Sequence, residues 1–211
     1  MKINYIYQAL VISVSLASSM MNSFASEALY AQDRQSALIH KAQEGDFDAV
    51  RIIAKHNDSS AIAEIVIKLT EARRVSTNPT HIRTLRKSLA LLGDSTARKE
   101  ILTNIQCEDR YDQFHAIQDA ADIGGNDMIV ILADKLYDDA PGGRPADRDG
   151  QIVEDVGLPA PRHAAVIALS RIINDPTAPR IDHERITYSD IEVQQWRDWW
   201  KVNSGKYVNQ Q

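Results

Sequence analysis

The chain has 211 residues and a formal net charge of −5, with 44% hydrophobic and 6% aromatic residues. This length allows one sizeable core in one domain, and the scarcity of aromatics favours a helical protein over a β-sandwich. The acidic balance argues against nucleic acid as a partner. The single cysteine, Cys107, excludes an internal disulfide and is expected to be a half-buried residue at a helix end.

The first 25 residues have the pattern of a secretory signal peptide. Lys2 precedes a short apolar core, Ala9 to Leu16, and Ser23-Phe24-Ala25 fits a small-x-small cleavage site. A membrane anchor is the weaker interpretation, because polar residues interrupt the stretch before it reaches the length of a spanning helix. We therefore predict cleavage after residue 25, a single mature domain over 26–211, a periplasmic or secreted location, and no membrane insertion after cleavage.

Helical spacing and helix-capping residues dominate the rest of the chain and predict eight or nine short helices. Glycine followed by an acidic or amide residue marks one helix end and the next start at Gly45-Asp46, Gly93-Asp94 and Gly124-Gly125-Asn126. Asp109 is expected to cap a helix from Arg110 to Ile123. The apolar run that follows, 128–133, is expected to be a central buried helix.

Two irregular connections interrupt this pattern. Residues 138–160 contain four glycines or prolines between 141 and 145 alone and show no period, which indicates a long loop of functional interest. A second irregular segment runs over 175–188. The capping-box pattern Ser189-x-x-Glu192 starts a last helix over 189–202, and the polar tail from Asn203 is expected to fray.

A repeat relates the helices to one another. A shift of 31 residues moves the apolar positions and the glycine of 89–105 onto those of 120–136, and a shift of 48 moves His115-Ala116 onto His163-Ala164 and Asn126-Asp127 onto Asn174-Asp175. A repeated helix pair cannot bury its apolar face alone, so stacked copies must share a core. The fold predicted is all-α: a short right-handed α-solenoid of HEAT-like helix pairs with a long irregular insertion. The alternative is an irregular helical bundle, because Ala and Leu at helical spacing also recur by chance.

The repeat resembles a known family. The runs Leu89-Ala90-Leu91-Leu92-Gly93-Asp94 and Arg162-x-Ala164-Ala165-x-x-Ala168-Leu169 look like bacterial HEAT-like repeats of the phycobilin-lyase type, over about 46–175. The ending Trp196-x-x-Trp199-Trp200-x-x-Asn203 is similar to a C-terminal helix that follows such repeats in exported bacterial proteins. The resemblance implies a curved scaffold that usually binds proteins. It does not carry over lyase activity, because the repeat defines packing only.

No pattern for catalysis, a cofactor or a metal stands out. The six histidines include no pair at the spacing of a helical zinc site, and His183-Glu184 has no third ligand placed by spacing. The turn Asp147-x-Asp149-Gly150 resembles the middle of a calcium loop. Pro145 and Val156, however, occupy the positions that need carboxylates. We therefore predict no enzyme, no cofactor and no bound metal.

Charge is distributed unevenly along the chain. Residues 68–99 hold eight basic and two acidic side chains, whereas residues 108–155 hold thirteen acidic and four basic ones. Such segregation favours electrostatic steering of a charged protein partner, for example a basic one; the alternative is solvated helix faces that partly neutralise each other. In the last helix, Val193, Trp196 and Trp200 share the face expected to be buried as a cap on the stack. Trp199 points aside and is a candidate exposed anchor.

These patterns predict an exported, non-catalytic protein-binding scaffold, with an immunity-type inhibitor of a periplasmic toxin or lytic enzyme as its sharper form. The alternatives are an enzyme or calcium-dependent binder that uses the 138–160 loop, and a structural envelope protein that associates with itself. The predicted partner-binding residues are the charged residues of the loop, the start of the next helix and one tryptophan: Asp138, Asp139, Arg144, Asp147, Asp149, Glu154, Asp155, Arg162, His163 and Trp199.

Overall fold

The computed structural model of the protein describes residues 36–56, 59–142, 157–181, 185 and 187–208. These residues form helices joined by turns and irregular segments, and no β-strand occurs among them. The predicted signal peptide at 1–25 lies outside the described residues. The helices are α1 (described over 36–43), α2 (Phe47–His56), α3 (Ser59–Val75), α4 (Pro79–Leu91), α5 (Ser95–Ile105), α6 (Arg110–Ile123), α7 (Asn126–Lys135), α8 (Pro161–Ile172), α9 (Asp190–Asn203) and α10 (Gly205–Val208).

The chain divides into two compact units, one ending at Ser88 and the other beginning at Leu89. In the first unit, the buried residues Val50, Ile65 and Leu69 come from the packed pair α2 and α3. The Asp46 side chain accepts a 3.1 Å hydrogen bond from the Ala49 amide, so the predicted cap of α2 is confirmed. This unit is therefore held by apolar packing and by a capped turn.

His81 joins two turns of the first unit. Its Nε2 lies 3.2 Å from the carbonyl oxygen of Gln43, and its Nδ1 lies 3.2 Å from Ser76 Oγ. Gly45 has a φ of +95°, and a Cβ at this position would come 3.2 Å from the His81 ring. The left-handed backbone thus favours glycine here, and any larger residue would also have to displace the imidazole slightly.

Two helices of the second unit, α5 and α6, begin at the caps that the sequence predicts. Asp94 Oδ1 accepts from the Ala97 amide at 2.7 Å, and Asp109 Oδ1 accepts from the Asp112 amide at 2.9 Å. Each bond satisfies an amide that the first turn of a helix leaves without an internal partner. The apolar run at 128–133 lies within α7, where Met128 and Leu132 are fully buried, so its prediction as a central helix is confirmed.

The 31-residue repeat is visible in the packing. The three apolar positions of α5 and their counterparts in the α7 segment all have no exposed surface: Ala97, Ile101, Ile105, Met128, Leu132 and Leu136. In the same unit, α5 packs on α6 and α7, while α8 packs on α6 and α7. Contacts to the next helix and the next but one are typical of stacked helix pairs. The prediction of an all-α, solenoid-like fold is confirmed.

Buried alanines allow the close contact of α6 with α8. Ala116 and Ala120 on α6, and Ala164, Ala165 and Ala168 on α8, are each at most 4% exposed. Small side chains let two helix backbones approach closely, which lowers the interaxial distance. The 48-residue shift places the first and last members of these two sets at equivalent positions, so both helices use the same kind of surface.

Polar side chains complete the ends of the stacked helices. Arg98 of α5 donates to the Gly124 carbonyl at 2.7 Å and to Asp127 Oδ2 at 2.6 Å, which ties α5 to the α6–α7 turn. Buried Gln113 of α6 donates to the carbonyls of Ile105 and Cys107 at 3.1 and 3.2 Å. The Ile105 carbonyl ends α5 and has no partner within the helix, and Cys107 lies two residues beyond it. Cys107 is half-buried there, as predicted.

The C-terminal segment departs from the prediction in one respect. The capping box between Ser189 and Glu192 is confirmed at the start of α9. The tail beyond Asn203 was expected to fray, but α10 forms there, and Tyr207 stacks on Trp200 with ring centroids 5.7 Å apart. An aromatic residue in a polar tail therefore orders it, because burial of a large ring compensates for the entropy of ordering a short segment.

Within the part of the chain that the structure describes, no helix is both long and apolar enough to cross a membrane.

We expect Arg98→Met to lower the free energy of unfolding by about 2 kcal/mol, because it removes charge-assisted hydrogen bonds and leaves Asp127 and a helix-end carbonyl without their donor. Arg74→Met is the matched control and should lower the free energy of unfolding much less, since Arg74 pairs with Glu71 on an exposed surface. Urea denaturation measures both. Equal losses would contradict a structural role for Arg98.

Candidate functional site

Five of the ten predicted binding residues lie within the described part of the chain. Asp138 and Asp139 follow α7, Arg162 and His163 begin α8, and Trp199 is on α9. The others, Arg144, Asp147, Asp149, Glu154 and Asp155, lie outside the described residues, as does the calcium-like turn. The structure brings Asp139 and Arg162 together, with their side chains 4.0 Å apart.

The carboxylate of Asp138 is hydrogen-bonded within the turn that follows α7. Its carboxylate accepts from Lys135 Nζ at 3.0 Å and from the Ala140 amide at 3.1 Å, and the side chain is 24% exposed. Burial opposes ionisation, but the bonds from Lys135 and Ala140, with the charges of Lys135 and Arg110, outweigh it and lower the pKa of Asp138. Asp138 therefore stays ionised and closes the end of α7, which leaves it little capacity for a partner.

Asp139 is the outward-facing member of this acidic pair. Its side chain is 80% exposed, and its Oδ1 accepts from Arg197 Nη2 at 3.2 Å with Arg162 Nη1 at 4.0 Å. The two arginine side chains are only 20–22% exposed. A partner approaching this surface would therefore meet a carboxylate that is hydrogen-bonded to one largely covered arginine and lies near a second. We call Asp139, Arg162 and Arg197 the Asp139 cluster.

Arg197 is the residue of the cluster that the sequence did not reveal. It lies on α9, where it follows buried Trp196, and it donates from Nε and Nη2 to the Leu136 carbonyl at 2.9 and 2.7 Å. Its guanidinium also lies 5.2 Å from the centre of the Tyr137 ring. The one sequence signal was a cation at the edge of an aromatic face, which is common on exposed helices and does not indicate its partners.

His163 lies at the start of α8 in a half-buried position. Both ring nitrogens are buried and have no hydrogen-bond partner among the described residues, and the ring meets Tyr188 edge-on with centroids 6.4 Å apart. Burial first, and then the charge of Arg162, lower the pKa of His163 below its ordinary 6.5, against the opposing charge of Asp190. The imidazole is therefore neutral at neutral pH.

Trp199 is not an exposed anchor, which corrects the sequence prediction. Its side chain is 8% exposed, its Nε1 donates to Thr177 Oγ1 at 3.0 Å, and its ring lies against Trp196 and Tyr207. Trp200, assigned to the buried face, is only half-buried. The prediction failed because α10 and the segment after α8 cover a second side of α9, which helical periodicity could not show.

The described residues contain no group of three or more His, Cys, Asp or Glu side chains arranged to hold a metal ion. Burial raises the pKa of the Cys107 thiol, as does the charge of Asp112, while its Sγ donates to the Asp109 carbonyl at 3.3 Å. A raised pKa keeps the thiol protonated and weakly nucleophilic.

Comparisons with models of known families, with curated proteins and with solved structures give no match.

The lowered pKa of His163 predicts how the stability of the protein depends on pH. Because its pKa is lowered in the folded state, its contribution to stability is complete above the ordinary value of 6.5 and is lost as pH falls through the lowered folded value. We expect the free energy of unfolding to fall less in His163→Leu than in the wild type between about pH 7 and pH 5.

His40→Gln is the control for this measurement, because the His40 side chain is 72% exposed. It should keep the wild-type pH dependence. If the free energy of unfolding falls equally in His163→Leu and in the wild type on acidification, His163 is not buried in its neutral form.

Proposed function

We propose that this chain is an exported, non-catalytic protein-binding module on a HEAT-like helical scaffold, and that the Asp139 cluster contacts a basic partner. The observation that carries the proposal is the 80% exposed Asp139 carboxylate, held by Arg197 and near Arg162. A charged group fixed in place loses little freedom on binding, so its contact with a partner cation costs less entropy.

The exposed charge of the surrounding helices supports a basic partner. Between residues 108 and 142, the exposed acidic side chains are Glu108, Asp109, Asp112, Asp122, Asp134 and Asp139. The two basic side chains of the same stretch are only partly exposed: Arg110 donates to Gln113 at 2.6 Å and Lys135 pairs with Asp138. This part of the chain therefore presents a mainly negative charge to solvent, which would steer a basic protein toward it.

A narrower form of the proposal makes the partner a basic toxin or lytic enzyme of the periplasm, which this chain inhibits. The predicted signal peptide, the small size and the acidic charge support it. A buried or ionic contact at the Asp139 cluster would then block the partner without any chemistry by this chain.

The test uses site-specific photo-crosslinking in the producing cells. A benzoylphenylalanine at exposed Pro141, two residues after Asp139, should capture one defined basic protein, whereas the same group at exposed Lys55 on α2 should not. The captured protein is then purified and its affinity measured by titration calorimetry. Absence of a capture specific to position 141 would contradict the proposed surface.

Charge reversal makes the test specific for the carboxylate. We expect Asp139→Lys to weaken binding of the captured protein by about tenfold or more, because it replaces an attraction by a repulsion beside two arginines. Asp48→Lys makes the same charge change at an 84% exposed position of the first unit and should leave the affinity unchanged. Equal effects of the two substitutions would show that only the net charge of the protein affects binding, which would contradict a specific contact at Asp139.

A further inference from the structure

A groove at the C-terminal end of α8 has no role in the proposed function. It has a volume of about 310 Å³ and lies between α8, the segment 178–181 and α9. Ser170, Ile173, Pro179, Arg180, Ile181 and Trp196 contribute to its lining. Its lining combines apolar side chains with polar and charged groups, a mixture that a small ligand or a chain end can use.

Trp196 provides the first sign that the groove is a binding site. Its side chain is 1% exposed, and its buried Nε1 has no hydrogen-bond partner among the residues that the structure describes. Buried donors in folded proteins are nearly always paired. The neighbouring Trp199 follows that rule through Thr177. The indole N–H of this groove-lining residue therefore lacks an acceptor, and because the atom is also covered, a ligand in the groove supplies one only if the groove wall shifts.

Arg180 provides the second sign. It is exposed and makes no ion pair or hydrogen bond with any described residue, whereas the other charged group of the groove, Asp175, is already neutralised. Asp175 accepts from Lys206 Nζ at 2.8 Å and from the Thr177 hydroxyl at 2.7 Å. These bonds lower the pKa of Asp175 to about 2. Among the lining residues that the structure describes, the charge that remains available is therefore positive.

The third sign is the backbone of the groove wall. Residues 179–181 are neither helical nor bonded through their backbone to another described residue. The main-chain groups of Arg180 and Ile181 are therefore available to an extended chain lying alongside. A small free acid would bind the Arg180 guanidinium but not these main-chain groups. This wall of the groove therefore favours a peptide as the ligand.

We propose that this groove binds the C-terminal carboxylate of a peptide whose last residue has a small apolar side chain. The carboxylate pairs with Arg180, and the last side chain packs against Ile173 and Ile181. A shift of the groove wall then lets a ligand oxygen accept from Trp196 Nε1. Arginine suits a carboxylate because its planar fork donates two parallel hydrogen bonds. The site uses none of the residues of the Asp139 cluster, so either proposal can fail without the other.

The experiment titrates N-acetylated tripeptides that end in alanine, valine or leucine into the ¹⁵N-labelled protein. At least one should shift the assigned Trp196 indole N–H signal and leave that of Trp199 in place, and its C-terminal amide should bind about tenfold more weakly or worse. Failure of all three acids to bind at millimolar concentration overturns the proposal, as does equal binding of acid and amide.

Two further arms separate the alternatives. Arg180→Gln should weaken the peptide by about tenfold or more, while Arg171→Gln, an exposed arginine on α8 that does not line the groove, should leave its affinity unchanged. Isovalerate tests a free carboxylic acid as the ligand. If isovalerate binds as tightly as the best peptide, or if Arg180→Gln binds like the wild type, a peptide end is not the ligand.

Discussion

The contact between the Arg197 guanidinium and the Leu136 carbonyl connects the features on which both proposals rest. The last carbonyls of a helix lack internal partners, and fully buried Leu136 caps α7. Arg197 supplies two donors to that oxygen and a third contact to Asp139. A cation is also favoured at this end of a helix by the helix dipole. The Arg197 side chain thereby provides hydrogen bonds to the carbonyl at the end of α7, attaches α9 to that end and contacts the exposed carboxylate of Asp139.

The position of α9 then determines what surrounds it. Trp196 and Trp199 are buried on two sides of this helix, one lining the groove beside α8 and the other bonded to Thr177. Lys206 after α9 pairs with Asp175 after α8, which neutralises an acidic group of the groove. The Asp139 cluster and the groove therefore have no residue in common, but α9 contributes a residue to each.

Local features of this fold could be predicted because their causes are close together in the sequence. The caps at Asp94 and Asp109 and the capping box at Ser189 each join residues three apart. The repeat gave the buried faces of α5 and α7, because the same spacing must bury the same positions in each copy. Together, the helix caps and the repeat predict an all-α, solenoid-like architecture.

The candidate site could be predicted only in part, because its contacts join distant residues. Arg197 lies 61 residues from Leu136 and 58 from Asp139, so no spacing rule connects them. Asp138 was expected on the binding surface, but Lys135 and a backbone amide engage it. Trp199 was misplaced for a similar reason: periodicity defines one buried face of a helix, whereas tertiary neighbours here cover two.

The most direct measurement is amide hydrogen exchange of the wild type and Arg197→Met, compared by mass spectrometry. If the contact with Leu136 holds α9 and the turn after α7, their amides should exchange about tenfold faster or more in the variant, while those of α5 and α6 keep their wild-type rates. Unchanged exchange in α9 and in residues 136–140 would contradict this organisation, as would an equal increase throughout the second unit.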